Sequence, residues 1–158
     1  MVIGATFVID CYGSQKFSNP ILQVYYDGLV SLIEKFEIGD VLRLHDSIKN
    51  VAEEMNRSDA VCLPSLHEGF SNTISEAICC GKPVICSDVA DNSVMVHDGE
   101  NGYLFNPLDV DGLVDAFIRF FNLSVDNKKL MGEKSREIAE NLFDANVFVN
   151  AYEKLILL

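Results

Sequence analysis

Two glutamates and a run of small polar residues form the part of the sequence with the densest potential chemistry. Glu68 and Glu76 are separated by seven residues, which begin Gly69-Phe70-Ser71-Asn72-Thr73. The apolar run Asp59–Pro64, a predicted strand, comes just before them, and the polar residues are typical of a helix start. The free N–H groups and the positive dipole end of such a helix could bind a diphosphate. The two carboxylates could accept hydrogen bonds from hydroxyl groups, such as those of a sugar and a ribose.

The same residues allow a purely structural interpretation. Thr73 and Glu76 have the spacing of a capping box, in which the glutamate side chain accepts a hydrogen bond from the Thr73 amide. Ser71 or Asn72 could equally be a simple N-cap. The local pattern by itself favours this structural interpretation over a binding site.

The composition limits the classes of protein to which the chain can belong. Its 158 residues are 49% apolar and 23% charged, which predicts one globular domain with a buried core. With 24 acidic and 12 basic residues the net charge is −12, which argues against nucleic acid or an anionic membrane surface as a partner. A small anionic ligand is compatible with this charge, because a helix N-terminus can bind phosphate.

Targeting and redox features predict a cytoplasmic protein. No apolar run reaches the length of a membrane span, and the segment Met1–Asp10 lacks the basic start of a signal peptide. The five cysteines include no C-x-x-C pair and lie in apolar stretches, which predicts reduced thiols.

Apolar strands alternate with amphipathic helices along the chain. Strands are predicted at 6–10, 41–44, 59–64, 83–87 and 103–105, and helices from Pro20 to before Gly39, from Ser47, and at 71–80, 92–97, 110–121, 127–142 and 145–157. This order predicts an α/β fold, with a Rossmann-like parallel sheet of about five strands flanked by helices on both faces. Ligands of such sheets bind beyond the carboxyl ends of the strands, so the loops 11–19, 45–47, 65–70 and 87–92 are candidate binding loops.

Several ordered blocks resemble the C-terminal half of the group 1 (family 4) retaining glycosyltransferases, which have the two-domain GT-B fold. The first block is the E-x7-E pair within Pro64-Ser-x-x-Glu-Gly-Phe-Ser-x-x-x-x-Glu-Ala. The next two are Gly81-Lys-Pro-Val and Asp98-Gly-Glu-Asn-Gly-Tyr-Leu-Phe. The resemblance covers nearly the whole chain and is strongest over Ala52–Pro107.

This resemblance implies that residues 1–158 are the nucleotide-sugar-binding domain of an enzyme whose N-terminal acceptor domain is absent. It assigns catalysis and donor-sugar binding to Glu68 and ribose binding to Glu76, and it places His45 and Asp46 near the base. It assigns contacts with the sugar and phosphates to the amides of Gly69, Phe70, Ser71, Asn72 and Thr73. The acceptor would be a glycan, a lipid or a small molecule. No cofactor and no metal are expected, since helix amides and basic side chains would meet the leaving-group charge.

The sequence departs from the family pattern in three places. The Arg…Lys stretch that grips the diphosphate has no counterpart, the G-x-G after the first strand is replaced by Asp10-Cys-Tyr-Gly13, and a glycine is replaced by His45-Asp46. We therefore expect a fragment that is weakly active or inactive by itself. In the full-length enzyme, peripheral attachment to a membrane is left open.

Two alternative functions stay open at this point. One is a non-catalytic doubly wound regulatory or interaction domain, for which Asp10 is the candidate phosphorylation site. The other is a fragment of a GT-B-fold nucleotide-sugar epimerase.

Other candidate residues have simpler interpretations. Asp109-x-Asp111 precedes an amphipathic helix and is interpreted as capping rather than metal binding. The three histidines lack metal-ligand spacing. Lys82 is interpreted as a charge at the C-terminus of the helix that ends before Gly81.

Overall fold

The structure, a computed structural model, describes residues 7–156, without the side chains of Phe148 and Ala151. Thr6 of the first predicted strand, Leu157 of the last predicted helix and most of the N-terminal segment examined for a signal peptide lie outside the described residues. The elements are β1 (Ile9–Tyr12), α1 (Pro20–Lys35), β2 (Leu42–His45), α2 (Val51–Arg57), β3 (Val61–Leu63), α3 (Asn72–Cys79), β4 (Val84–Ser87), α4 (Asn92–Met95), β5 (Gly102–Phe105), α5 (Val110–Phe121), α6 (Val125–Leu142) and α7 (Ala145–Ile156). They divide into two compact units, with the boundary between Val51 and Ala52.

The first unit contains a parallel pair of strands and one long helix. β1 and β2 pair with Ile9 opposite Leu42. Asn19 caps α1, because its Oδ1 accepts a hydrogen bond from the Ile21 amide at 2.9 Å, and Pro20 occupies the first turn, as predicted. No residue of α1 is buried, and the Tyr25 side chain is 75% exposed. In β1 the last three residues are also exposed, so the burial that helices on both faces of a sheet would give is not found for this strand.

The second unit is built on the parallel sheet β3-β4-β5. Every residue of the central strand β4 is buried, which confirms for this strand that an unbroken apolar run reflects a sheet covered on both faces. Val84 and Cys86 belong to the core cluster that includes residues of α3, α4 and α6, whereas Ile85 belongs to the cluster with residues of β5, α5 and α6. This alternation follows from the two-residue period of a strand.

The α/β class with parallel strands is confirmed, and two details differ from the prediction. Among residues 7–156 the five strands pair as one set of two and one set of three rather than as a single sheet. The second helix begins at Val51 instead of Ser47, directly after Asn50, a residue type preferred at N-caps. Of the residues of this helix only Met55 is buried. That the two units act as one donor-binding domain stays a prediction.

The interpretation of Lys82 is wrong, because its ammonium group stabilises a different helix end. Lys82 Nζ donates hydrogen bonds to the carbonyl oxygens of Asn56 at 2.9 Å and Ser58 at 3.0 Å, at the C-terminus of α2. The end of α3 is instead held by Arg136, whose Nη1 donates to the Cys79 carbonyl oxygen at 2.6 Å. Gly81 has a φ of +66°, a conformation that turns the chain from α3 toward β4 at little cost only for glycine.

We expect Lys82→Met to lower the free energy of unfolding by about 1–2 kcal/mol, because two charged hydrogen bonds to backbone oxygens are lost. Urea unfolding followed by circular dichroism measures this change. The matched control is Lys129→Met, since the Lys129 side chain is 76% exposed and lies 3.7 Å from the Glu133 carboxylate. Its expected cost is at most about 0.5 kcal/mol. Equal costs for the two variants would contradict the capping role of Lys82.

Candidate functional site

The loop 64–71 joins β3 to α3 and carries the first predicted site residues. It begins at the carboxyl end of β3, the edge at which parallel sheets bind ligands. Glu68 is half-buried, whereas Gly69 is exposed. Phe70 is 51% exposed, and its ring meets the edge of the Phe143 ring with centroids 6.3 Å apart. The loop therefore holds one half-buried glutamate next to accessible backbone.

The N-terminus of α3 offers unpaired backbone donors. Ser71 is the N-cap, is 3% exposed, and its Oγ accepts a hydrogen bond from the Ile74 amide at 3.4 Å. The Ser71 carbonyl oxygen accepts a hydrogen bond from the Ser75 amide at 3.0 Å. No described group accepts a hydrogen bond from the amides of Asn72 and Thr73, the first two residues of the helix. These N–H groups and the helix dipole form the arrangement that binds phosphate oxygens.

The capping-box interpretation of Glu76 is wrong. With Ser71 as the N-cap, the residue that a capping box would use is Ile74, two positions before Glu76. The Glu76 side chain is exposed, and within residues 7–156 no group forms a hydrogen bond or an ion pair with it. Glu76 therefore has no visible structural role and is available to a ligand.

Two polar residues that the sequence analysis did not single out lie at the end of β4. Ser87 is 0% exposed, and its Oγ donates to the Ser65 carbonyl oxygen at 2.6 Å. Asn92 is also 0% exposed, and its Nδ2 donates to the Ser87 carbonyl oxygen at 2.8 Å. The Asn92 Oδ1 has no hydrogen-bond partner in the part of the chain that the structure describes. In the sequence, Ser87 could have been recognised as a serine that ends an otherwise apolar strand.

The block Asp98-Gly-Glu-Asn-Gly is a structural turn. The Asn101 Oδ1 accepts a hydrogen bond from the His97 amide at 2.7 Å, and the Asn101 Nδ2 donates one to the Met95 carbonyl oxygen at 3.0 Å. The Asp98 carboxylate accepts a hydrogen bond from the Arg119 guanidinium at 3.0 Å, and this hydrogen bond raises the pKa of Arg119. The polar atoms of this block are thus used by the turn itself.

The remaining candidates give no metal site. Asp109 is at the N-cap of α5, as predicted, but its side chain makes no capping hydrogen bond there. Among the described residues no group of three or more histidine, cysteine or acidic side chains is arranged to hold a metal ion. Between residues 7 and 156 no helix has both the length and the apolar character that crossing a membrane requires.

The five cysteines are free thiols, as predicted. Burial raises the pKa of Cys86 to about 12, and it also raises the pKa values of Cys11 and Cys79. Because the thiolate is the reactive form, these three thiols are poor nucleophiles near neutral pH.

His45 and Asp46 belong to the first unit, and the Glu68–Glu76 segment belongs to the second. His45 ends β2, and its Nε2 lies 2.6 Å from the Asp10 Oδ1. The His45 ring stacks on the Tyr12 ring, with centroids 4.8 Å apart and an interplanar angle of 19°. Asp46 is exposed. The carboxylate of Asp10 is therefore engaged by His45.

Comparison with known proteins identifies the family. The family described as "Glycosyl transferases group 1" matches residues 15–141. The chain belongs to this family. The group 1 resemblance drawn from the motif blocks is thereby confirmed.

Relatives and solved structures agree with this assignment. N-acetyl-alpha-D-glucosaminyl L-malate synthase of Bacillus anthracis is 29% identical over 127 residues, which is 80% of this chain and 33% of that protein. MMP alpha-(1->4)-mannosyltransferase of Mycolicibacterium hassiacum is 31% identical over 132 residues, or 79% of this chain and 32% of that protein. The crystal structure of Anabaena Alr3699/HepE in complex with UDP matches with a TM-score of 0.84 at 22% identity, covering 96% of this chain and 41% of that one. This likeness shows the fold, and the chain spans about a third of the length of those two curated relatives.

Proposed function

We propose that the chain provides the donor-binding half of a retaining glycosyltransferase, which transfers a sugar from a nucleotide diphosphate sugar to a glycan, lipid or small-molecule acceptor. The observation that carries the proposal is the start of α3, where the amides of Asn72 and Thr73 have no described acceptor and Glu76 has no structural role. The family match supports it. The similar HepE was crystallised with UDP and with UDP-glucose.

The proposed roles follow from position and burial. Glu68 is half-buried in the loop before the helix, and its carboxylate accepts hydrogen bonds from the donor-sugar hydroxyls near the reacting carbon. The backbone of Gly69–Thr73 lies along the sugar and the phosphates. Glu76 is exposed on the second turn of α3, and its carboxylate accepts hydrogen bonds from the ribose hydroxyls. For His45 and Asp46 the role near the base stays a prediction.

The chemistry assigned to the helix is charge stabilisation. During transfer the bond between the anomeric carbon and the phosphate oxygen breaks, and the acceptor hydroxyl oxygen forms the new bond to that carbon. The acceptor proton leaves with the nucleoside diphosphate. The N–H groups of Asn72 and Thr73 already point out of the helix, so they stabilise the growing negative charge without reorganisation. That no metal takes part stays a prediction.

The acceptor half is proposed to lie in a further domain. The chain covers only 33% and 32% of the two curated relatives, which accommodates a second domain of similar size in proteins of their length. The isolated chain is then expected to bind the donor without transferring it efficiently. Cations that neutralise the diphosphate would come from the Arg…Lys stretch that this chain lacks, since its own net charge is −12.

Titration of the chain with UDP-, GDP- and ADP-sugars by isothermal calorimetry tests the proposal. We expect one of these donors to bind, and Glu76→Gln to weaken its binding by about tenfold, the loss of roughly one hydrogen bond to a charged acceptor. Glu133→Gln is the matched control, since the Glu133 carboxylate is 59% exposed and lies near Lys129 on α6. Equal affinities for wild type and Glu76→Gln would contradict the proposal.

The alternatives predict different products. The regulatory alternative requires Asp10 to lie in an acidic cluster, where it could be phosphorylated. The Asp10 carboxylate instead lies 2.6 Å from His45, and no such cluster occurs among the described residues. An epimerase would convert a nucleotide sugar into its epimer without any acceptor. Incubation of the chain, and of the longer protein that contains it, with the bound donor followed by analysis of the sugar distinguishes transfer from epimerisation.

A further inference from the structure

The loop that carries Glu68 is attached to the rest of its unit by few interactions. Across residues 64–70, the only hydrogen bond that the described groups make is the one from the Ser87 Oγ to the Ser65 carbonyl oxygen, at 2.6 Å. Leu66 is 57% exposed and Phe70 is 51% exposed, and the Phe70 ring meets the Phe143 ring only in an edge contact with centroids 6.3 Å apart. Among the described groups, the Ser87 hydroxyl therefore supplies the one hydrogen bond that ties this loop to the sheet.

Ser87 is itself held rigidly. It is the last residue of the buried strand β4 and pairs in register with Phe105 of β5. The next amide, that of Asp88, donates to the Phe105 carbonyl oxygen at 2.7 Å. Since Ser87 is 0% exposed, its hydroxyl has no access to solvent and keeps Ser65 as its acceptor.

Asn92 binds the backbone of Ser87. Its Nδ2 donates to the Ser87 carbonyl oxygen at 2.8 Å, and the side chain is 0% exposed. Asn92 opens the short helix α4, in which Met95 is also buried. The Ser75 Oγ of α3 lies 3.4 Å from the Met95 Sδ. Through Asn92 and Met95, α4 thus connects the end of β4 to the second turn of α3.

We infer that Ser87 and Asn92 are positioning residues of the donor site, which fix the loop 64–71 so that Glu68 stands in a constant place relative to the start of α3. Both side chains are 0% exposed, so we assign them an indirect role. Ser87 acts through Ser65, and Asn92 acts through Ser87. The inference deepens the proposed function and rests on it for its consequence, but the effect on the loop is independent of any ligand.

The experiment measures the loop and the donor separately. Backbone order parameters from 15N relaxation are compared for wild type, Ser87→Ala and Ser87→Cys, a variant that keeps the shape of the side chain but has a larger atom and a weaker donor. We expect the order parameters of Leu66, Glu68 and Gly69 to fall from about 0.85 toward 0.6 in Ser87→Ala and by less in Ser87→Cys. Affinity for the tightest-binding nucleotide sugar is expected to fall about three- to tenfold in Ser87→Ala.

A second buried serine supplies the control. Ser135 is 0% exposed, and its Oγ donates to the Asn101 carbonyl oxygen at 3.2 Å, with no contact to the loop 64–71 among the described hydrogen bonds. Ser135→Ala should lower stability in a similar way and leave both readouts unchanged. Unchanged loop order parameters in Ser87→Ala overturn the inference. If Ser87→Ala does not fold, the same result in Ser87→Cys overturns it. A wild type that binds no nucleotide sugar overturns the proposed function, whereas the order parameters still decide the role of Ser87.

Discussion

Alanine at position 102 is expected to lower the free energy of unfolding by about 3 kcal/mol or more. A Cβ on Gly102 would lie 1.9 Å from the carbonyl oxygen of Val84, 2.8 Å from its carbonyl carbon and 3.0 Å from its nitrogen. All three atoms are backbone, so no side chain can rotate away. Val84 is the register partner of Gly102 and part of the wholly buried central strand. The strands must therefore separate, which disturbs the cores on both faces of the sheet.

A second glycine in the same unit is the control. A Cβ on Gly112 would lie 2.9 Å from the Oδ2 of Asp109, the end of an exposed side chain that can move. Alanine is also favoured over glycine inside a helix by up to about 1 kcal/mol. Gly112→Ala should therefore change stability by no more than about 1 kcal/mol. Urea unfolding of both variants measures the difference, and a Gly102→Ala variant as stable as Gly112→Ala would contradict the register of β4 and β5.

The order of elements was predictable because each long helix carries its own periodic signal. The bounds predicted for α5 are those observed, and those of α6 and α7 differ by two residues or fewer within the described chain. Long-range partners leave no such local signal. The sequence shows a glycine after Asn101, but not that Val84 lies opposite it, and it shows Lys82 beside Gly81, but not the carbonyl groups of α2 that this lysine binds. The division of the strands into two sets has the same cause.

The candidate site was predictable where its residues are contiguous. Glu68 to Glu76 form one segment, so the motif places them together without knowledge of the fold. The local pattern allowed a cap at Ser71, Asn72 or Thr73, and burial of one helix face selects among these registers. Ile74, Ala77 and Ile78 are the buried residues of α3, and with this face inward Ser71 is the cap. Ser87 was missed because its partner, Ser65, lies 22 residues away in sequence.

Affinities for two ligands, a nucleotide sugar and its nucleoside diphosphate, should distinguish the roles of Glu68 and Glu76. Glu68→Gln is expected to weaken binding of the nucleotide sugar by about tenfold to a hundredfold, and to leave binding of the corresponding nucleoside diphosphate unchanged. The amide keeps the shape of the carboxylate but replaces one charged acceptor by a donor, so hydrogen bonds from the sugar hydroxyls are lost. Glu76→Gln is expected to weaken both ligands by the same factor, because both contain the ribose.

The measurement is a set of four calorimetric titrations, with each variant tested against the nucleotide sugar and its nucleoside diphosphate. Both side chains lack a hydrogen-bond partner among the described residues, so neither substitution is expected to change the unfolding transition. A change in affinity then reports on ligand contacts and not on folding. If Glu68→Gln weakens the two ligands equally, Glu68 does not contact the sugar and its assigned role is wrong. If only the nucleotide sugar is affected, the half-buried Glu68 before α3 recognises the group that is transferred, which a helix-capping residue could not do.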